Sequence, residues 1–292
     1  MLYEIKNDRI IIKVSDEGAE LKSVKKIRDE REFMWQADKA FWGRTSPVLF
    51  PLVGNYYNKQ SRYKRKTYNM SQHGFARDMV FTLVSKDDSS ITFELKETEE
   101  TLEKYPFAFR LYCSYELIDN KVIVSWRVIN PNCFKMYFSI GAHPAFNCDL
   151  DSDRLLFEKD GKAVGLVTSK VIASDGSGCM GDEEKSFILD KGLLQMSDEL
   201  FMQDALVIED RQSNSVSVTD PEGKPFVKVT FDAPLFGVWS PVGKHAPFVC
   251  IEPWYGRCDK VGFIGDLSKR EYSNTLEAGG EFRASYTMEF DA

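Results

Sequence analysis

Hydrophobic and polar residues alternate along much of this chain, and polar turn residues separate the alternating runs. An alternation of period two places every second side chain on the same face of a β-strand. Two such runs on either side of a short polar turn are typical of a β-hairpin. The pattern predicts three hairpins: 81–95 with its turn at Asp87-Asp88, 109–128 with its turn at Asp119-Asn120, and 205–219 with its turn at Gln212–Asn214.

Five further runs predict single strands, whereas helical periodicity is scarce. Glu97–Tyr105, ended by Pro106, and Lys191–Met196 are the two helix candidates. The segment Ala173–Asp182 predicts a flexible crossover, and no linker or internal repeat divides the chain. We therefore predict an all-β fold, a large antiparallel sandwich or barrel with few short helices, in a single domain over residues 1–292. The five single-strand candidates are Arg9–Val14, Phe226–Phe231, Phe236–Trp239, Phe248–Ile251 and Ala284–Phe290.

The composition is typical of a globular protein and disfavours some classes of partner. Hydrophobic residues make up 43% of the 292 residues, and the formal net charge is −7. A moderately acidic chain without a basic stripe disfavours nucleic acid as a partner. The N-terminus shows no signal-peptide pattern, and no run approaches the ~18 apolar residues of a membrane span. We expect no membrane partner and a cytoplasmic location, as a monomer or a homodimer.

Cysteine usage supports the same compartment. The six cysteines form no Cys-x-x-Cys pair, so the sequence predicts neither a zinc ribbon nor a redox motif. Cys113 and Cys250 lie in apolar strand-like runs, where a free cysteine behaves as a small hydrophobic residue. These features predict an intracellular protein with reduced thiols.

Two of the three histidines have neighbours that suggest chemistry. His73 lies in Gln-His-Gly-Phe-Ala-Arg, where Gly74 lets a ligand approach the backbone closely and Arg77 adds a fixed fork of donors. His143 follows an apolar run and precedes Pro144, which cannot donate to a sheet ladder, so we place His143 at a strand end. Each could equally be a structural histidine, and His245 is interpreted as an ordinary loop residue.

Four other polar or aromatic residues are candidates for a binding site. Glu252 ends the run Phe248–Ile251 beside aromatics, where loss of solvation raises the pKa of a carboxyl toward the range of a general base. Trp254 could offer a flat face to a sugar ring or act as a structural lid. Arg44, amid apolar residues, needs an anionic or hydroxyl partner when buried. Asp204, at the entry to a strand, could accept sugar hydroxyls or cap a turn.

Three segments together resemble a known family. Gln72–Arg77, Gly141–Asn147 and Ile251–Gly256 resemble, in order and approximate spacing, the three motifs of the galactose mutarotase (aldose 1-epimerase) family. The resemblance is closest to the branch of LacX-like and hexose-6-phosphate epimerase-like proteins, which show a comparable Arg followed by a Phe-Pro-rich segment, as at 44–54. It implies a β-supersandwich that uses no metal or organic cofactor and acts on a small sugar.

The resemblance also implies roles for individual residues. Glu252 corresponds to the general base of the family and His143 to its general acid, while His73 contacts the sugar. Arg44 corresponds to a substrate-binding arginine, and Asp204 and Arg77 are further substrate-binding candidates. Gln72 stands where the galactose enzymes typically have Asn, and Ala145 where they commonly have Tyr. The implied substrate is therefore an aldose, not specifically galactose.

An acid and a base suffice for the implied reaction. Removing the O1 proton while protonating O5 opens the ring, and closure on the other carbonyl face gives the other anomer. Glu and His suit these roles because both titrate within reach of neutral pH. Three alternatives stay open: a non-catalytic sugar-binding or sensing protein, a metal-dependent cupin-type isomerase, and a hexose-6-phosphate 1-epimerase in which Arg44 and Arg77 clamp the phosphate.

Overall fold

Antiparallel strands dominate the computed structural model, which describes residues 1–291. The predicted all-β fold is confirmed. In chain order the first strands are β1 (Leu2–Lys6), β2 (Ile10–Ser15), β3 (Leu21–Lys26), β4 (Val48–Leu49), β5 (Gln60–Tyr63), β6 (Lys66–Asn69), β7 (Thr82–Lys86), β8 (Ser90–Lys96), β9 (Arg110–Ile118), β10 (Lys121–Ile129), β11 (Met136–Phe138), β12 (Ile140–Ala142) and β13 (Ala145–Asn147). The remaining strands are β14 (Arg154–Lys159), β15 (Lys162–Ala163), β16 (Leu166–Ile172), β17 (Met180–Ile188), β18 (Leu193–Gln195), β19 (Leu206–Ile208), β20 (Ser215–Thr219), β21 (Pro225–Phe231), β22 (Leu235–Trp239), β23 (Phe248–Tyr255), β24 (Asn274–Leu276) and β25 (Glu281–Phe290).

Helical structure is short. The predicted helix within 97–105 is confirmed as α1 (Glu99–Lys104), which begins with a reciprocal capping box between Thr98 and Thr101. The helix predicted at 191–196 is wrong, because Lys191 and Gly192 have positive φ and turn the chain into β18, which pairs with β14. The 3₁₀ turns are Tyr57–Lys59, Ala76–Asp78, Asp198–Phe201 and Leu267–Lys269.

Two large sheets organise the described part of the chain. A ten-stranded sheet runs β15-β14-β20-β21-β25-β10-β9-β8-β7, with β18 added beside β14. An eight-stranded sheet runs β17-β16-β19-β22-β23-β12-β4, with β13 added beside β23. The predicted hairpins at 81–95 and 109–128 are confirmed as β7-β8 and β9-β10. Smaller sheets are formed by β1-β2-β3, β5-β6 and β11-β24.

The third predicted hairpin is wrong, since its two strands belong to different sheets. Strand β19 pairs with β16 and β22, whereas β20 pairs with β14 and β21. Between them Asp210 and Arg211 have positive φ, and the Gln212 amide donates to the backbone oxygens of Thr168 and Glu209. These contacts hold the segment in a crossing from one sheet to the other. The segment 173–182, predicted to be a crossover, instead contains the turn between the hairpin partners β16 and β17.

The main core lies between the large sheets, and β23 shows how the other face of the eight-stranded sheet is used. Val249 and Ile251 belong to the main core cluster, which also contains Val216 and Val218 of β20. Alternate residues of β23 therefore face the opposite side, where smaller apolar clusters hold Trp254 and Cys250. Nearly the whole strand is buried, because loops cover this second face. The candidate site lies there.

Candidate active site

A cleft of about 400 Å³ opens on the outer face of the eight-stranded sheet. It contains six of the seven site residues predicted from the sequence, together with others that the sequence did not indicate. The lining residues are Trp42, Val53, Gly54, Gln72, His73, Arg77, His143, Ile172, Gly178, Asp204, Ala205, Trp239, Val242, Glu252, Trp254 and Cys258.

Glu252 lies at the foot of the cleft. It was predicted to end a strand, but it stands inside β23, since pairing with β22 continues through Gly237↔Glu252 and beyond. The residue is 1% exposed, and its Oε2 has no hydrogen-bond partner within residues 1–291. Burial, followed by the charge of Asp204, raises the pKa of Glu252 well above its usual range. The Trp254 indole N–H opposes part of this rise, although it forms no fully aligned hydrogen bond with any described residue.

His143 occupies the gap between β12 and β13, as the sequence predicted from Pro144. Its Nε2 lies 3.3 Å from Glu252 Oε2, and its buried Nδ1 is unpartnered within the described chain. Burial, followed by the nearby charge of Arg77, lowers the pKa of His143 to about 3. The imidazole stacks on Trp42 with ring centres 4.7 Å apart, and the edge of Trp239 meets it at 5.4 Å.

His73 is oriented by the backbone around it. Its Nδ1 accepts a hydrogen bond from the Gly54 N–H at 3.1 Å, so in the neutral ring the proton is on Nε2. The ring centre lies 5.6 Å from that of His143. Burial and then the neighbouring His143 lower the pKa of His73 well below its usual value. Gly74 is required beside it, because a Cβ at that position would lie 2.3 Å from the Phe50 carbonyl oxygen.

Two arginines lie at one side of the cleft. Arg77 lines the cleft and donates to the Gln72 backbone oxygen at 2.7 Å, and its buried Nε has no hydrogen-bond partner among residues 1–291. The Arg44 side chain is 30% exposed, does not line the cleft and donates to Asp78 at 2.6 Å. Burial and the charge of Arg44 lower the pKa of Arg77 to about 10. Arg44 therefore acts on the cleft by its charge and is not a lining residue.

Asp204 and Trp254 complete the candidates. Asp204 lines the cleft with positive φ, accepts from the Ala205 N–H at 2.8 Å and has a pKa raised by burial. Trp254 lies across two glycines on the flanking strands: a Cβ at Gly141 would lie 2.7 Å from its Cδ1, and one at Gly237 2.5 Å from its Cζ2. The two glycines thus make the space that lets the indole lie flat against the sheet.

Sequence reasoning missed the aromatic wall formed by Trp42 and Trp239. Trp42 stands two residues before Arg44, and Trp239 ends the predicted strand Phe236–Trp239, which is observed as β22. The sequence singled out neither residue, and their contact with His143 distinguishes them. His245, by contrast, is 56% exposed and faces Asp151 and Asp198 on the surface, away from the cleft.

The residues that could hold a metal ion differ from those considered in the sequence. The cupin-type alternative rested on two histidines and one glutamate. Among the described residues, the group with suitable spacing is His143, Cys250 and Glu252, whose ligand atoms all lie within 4.8 Å of one another. His73 does not belong to it. All six cysteines lie in the described range and are free.

The fold is that of galactose mutarotase-like proteins of known structure. A galactose mutarotase related enzyme from Lactobacillus acidophilus matches with a TM-score of 0.93 and 36% identity, covering 100% of this chain and 98% of that one. A galactose mutarotase-like protein from Lactobacillus casei matches with a TM-score of 0.91 and 30% identity, covering 99% of each chain.

The sequence comparisons place the chain more narrowly. The protein LacX (plasmid) of Lactococcus lactis subsp. lactis is 31% identical over 266 residues, 88% of each chain. The sequence model of the aldose 1-epimerase family matches residues 1–288, and the chain belongs to that family. No helix within residues 1–291 has both the length and the apolar character that crossing a membrane requires.

Proposed function

We propose that this protein is an aldose 1-epimerase, a mutarotase that interconverts the α and β anomers of a hexose. Glu252 is the general base, His143 the general acid, and His73 a donor that orients the sugar. One observation carries this proposal: the Nε2 of His143 lies 3.3 Å from the Oε2 of Glu252, with both groups buried at the foot of a sugar-sized cleft. The free thiols support a cytoplasmic location.

The spacing suits the two oxygens that exchange protons. O1 and O5 are both bonded to C1, so groups that serve them must be neighbours. The Glu252 carboxylate takes the proton from O1 while the His143 imidazolium gives one to O5, and the C1–O5 bond breaks. The products are an open-chain aldehyde, a protonated Glu252 and a neutral His143. Rotation about C1–C2 and the reverse transfers then close the ring as the other anomer.

Glu252 and His143 together hold one proton, which lies either on the carboxyl group or on the imidazole. Burial raises the pKa of Glu252 and lowers that of His143, so both shifts favour the proton on the carboxyl. That arrangement is the one the mechanism needs around the open-chain sugar. Sugar hydroxyls that donate to the carboxylate favour its charged form, and they move the proton toward His143 when a ring binds. The neutral total charge avoids the large cost of burying a lone ion.

Other groups can hold the sugar without fixing C1, which both anomers require. Arg77, Gln72 and Asp204 line the cleft, and Trp254 offers a ring face. Amide, carboxylate and guanidinium groups are suitable partners for sugar hydroxyls. Arg44 supports Arg77 through their shared neighbour Asp78.

A second candidate, a hexose-6-phosphate 1-epimerase, is favoured by the charge around Arg77. Its buried Nε has no hydrogen-bond partner in the described chain and lies 3.8 Å from an Asp78 carboxylate oxygen, and Arg44 adds a second positive charge. Guanidinium groups bind phosphate bidentately, and lysine does not reproduce that geometry. If the substrate is phosphorylated, Arg77→Lys will raise the KM for the phosphosugar and change the KM for the free sugar little.

The test is anomer exchange followed by polarimetry on glucose, galactose and their 6-phosphates. We expect acceleration for at least one sugar and a loss of about 10²–10⁴-fold in His143→Ala, the range for a positioned acid. His245→Ala is the matched control, because that histidine is exposed, and its rate should equal that of the unaltered protein. Saturable sugar binding without faster exchange would instead identify a sugar-binding or sensing protein.

A further inference from the structure

Cys250 is a buried thiol that the proposed mechanism does not use. It lies on β23 two residues before Glu252, so both side chains face the same side of the sheet. It pairs in register with Ala145, which follows His143 by two residues. The strand pairing thus brings a thiol, an imidazole and a carboxylate to one point.

These three side chains have the spacing of a metal site. One ligand atom from each lies within 4.8 Å of the others, and the His143 Nε2–Glu252 Oε2 distance is 3.3 Å. Zinc bonds of about 2.0–2.3 Å to N, O and S in a tetrahedron separate neighbouring ligands by roughly 3.3–3.8 Å. The imidazole and carboxylate already have that separation, and a closure of about 1 Å by the thiol completes it.

An unsatisfied oxygen at the same point indicates a ligand. Glu252 Oε2 is buried and forms no hydrogen bond within residues 1–291. Glu252 is 1% and His143 7% exposed, so water around the molecule does not satisfy them freely. A buried polar atom without a partner is costly, by about 1–3 kcal/mol, and a bound cation would use the carboxylate oxygen directly.

We propose that His143, Cys250 and Glu252 form a binding site for a borderline-soft divalent cation such as Zn²⁺, and that the bound ion inhibits the protein. Thiolate and imidazole ligands favour zinc-like ions over Mg²⁺ or Ca²⁺. The ion displaces two protons, the Cys250 thiol proton and the one that Glu252 and His143 hold between them, and both leave to solvent. Three protein ligands leave a fourth position for water on the cleft side. Cys250 is then a ligand of the inhibitory ion and takes no part in catalysis.

The inhibition follows from which atoms the ion occupies. A cation on Glu252 and His143 removes both the acceptor and the donor that the sugar protons need. The inhibitory half of the proposal rests on the proposed function, whereas the binding half does not. The ion should compete with the sugar for the cleft, and a chelator should reverse the inhibition.

Cobalt(II) is the probe for binding, because a cysteine thiolate bound to it gives a charge-transfer band in the near ultraviolet. The unaltered protein should bind one equivalent of Co²⁺ with that band and release it to EDTA. Cys250→Ala should lack the band and bind Co²⁺ at least about tenfold more weakly. Cys133→Ser, which alters an exposed free thiol, should bind as the unaltered protein does. Equal Co²⁺ affinity in Cys250→Ala, or no thiolate band in the unaltered protein, would overturn the site.

The second arm measures mutarotation with and without Zn²⁺. The unaltered protein and Cys133→Ser should be inhibited, while Cys250→Ala should keep its basal rate and lose at least about tenfold in sensitivity to Zn²⁺. Equal inhibition of all three proteins would show that another site is responsible and overturn the proposal. A thiolate band in a protein that accelerates no anomer exchange would reject the proposed function and support the metal site. Anomer exchange in a protein without the band would reject the metal site and support the proposed function.

Discussion

Replacing Glu252 with Gln keeps the shape of the side chain and removes its ability to exchange a proton. If Glu252 is the base, the loss of its contribution lowers the rate of anomer exchange by about 10²–10⁴-fold. That range corresponds to an activation barrier higher by roughly 2.7–5.5 kcal/mol. The fold should persist, because Gln fills the same volume inside β23. Polarimetry at several sugar concentrations separates the change in kcat from that in KM.

The same substitution should stabilise the protein at neutral pH. Burial raises the pKa of Glu252 in the folded state above the ordinary value of 4.5, so unfolding releases a proton once the pH exceeds that value. The unfolded state then binds fewer protons, and stability falls as pH rises until the folded pKa is reached. In this window the free energy of unfolding falls by about 1.4 kcal/mol per pH unit, and the Gln variant lacks this pH dependence. The difference in free energy of unfolding, variant minus unaltered protein, should therefore increase as pH rises.

Urea unfolding between about pH 5 and pH 8 measures that difference. His143 contributes a separate dependence, since its pKa falls from 6.5 to about 3 on folding and stability is lost as pH drops through that range. This loss is caused by burial and Arg77, so both proteins share it. Glu20→Ala is the control: Glu20 accepts from the Thr45 and Ser46 amides, and removing this acceptor should cost about 1–3 kcal/mol. A Glu252→Gln variant with the same rate, or one less stable at every pH, would refute the reasoning.

Further predictions concern the surroundings of Glu252. Gly237→Ala places a Cβ 2.5 Å from Trp254 Cζ2. It should lower the free energy of unfolding by about 1–3 kcal/mol and should also lower kcat/KM. Gly165→Ala is the control, because its Cβ meets no described atom within 4 Å and should leave both quantities unchanged. An unaltered Tm and kcat/KM in Gly237→Ala would show that the indole can move freely. Asp204→Asn removes a charge that raises the pKa of Glu252, so the pH at which kcat/KM changes with Glu252 ionisation should fall; an unshifted profile would contradict that coupling.

The candidate site was predictable in part. His73, His143 and Glu252 follow recognisable local segments, and the structure brings all three to one cleft. Arg44 was expected to contact substrate; it bonds to Asp78 and is not among the residues that line the cleft, so its contact with substrate stays a prediction. Trp42 was missed because an aromatic residue in a loop has no local mark that separates a core contact from stacking on a histidine. Cys250 was interpreted as a small hydrophobic residue, and only strand register shows that it shares a face with Glu252.

The sequence by itself determined the features that neighbouring residues control. Alternation around Asp87-Asp88 and Asp119-Asn120 predicts both confirmed hairpins, because side-chain direction and turn geometry are set within a few residues. The same local rule failed at 205–219, where positive φ at Asp210 and bonds to distant Thr168 send the chain into the other sheet.

Only the tertiary structure decided the chemical character of the cleft. Whether Glu252 is exposed at a strand end or buried within β23 depends on loops that cover the outer face of the sheet. The shifted pKa values of Glu252 and His143 follow from that burial and from charges on distant segments such as Arg77. Burial and long-range charge are properties of the folded chain, which local alternation does not encode.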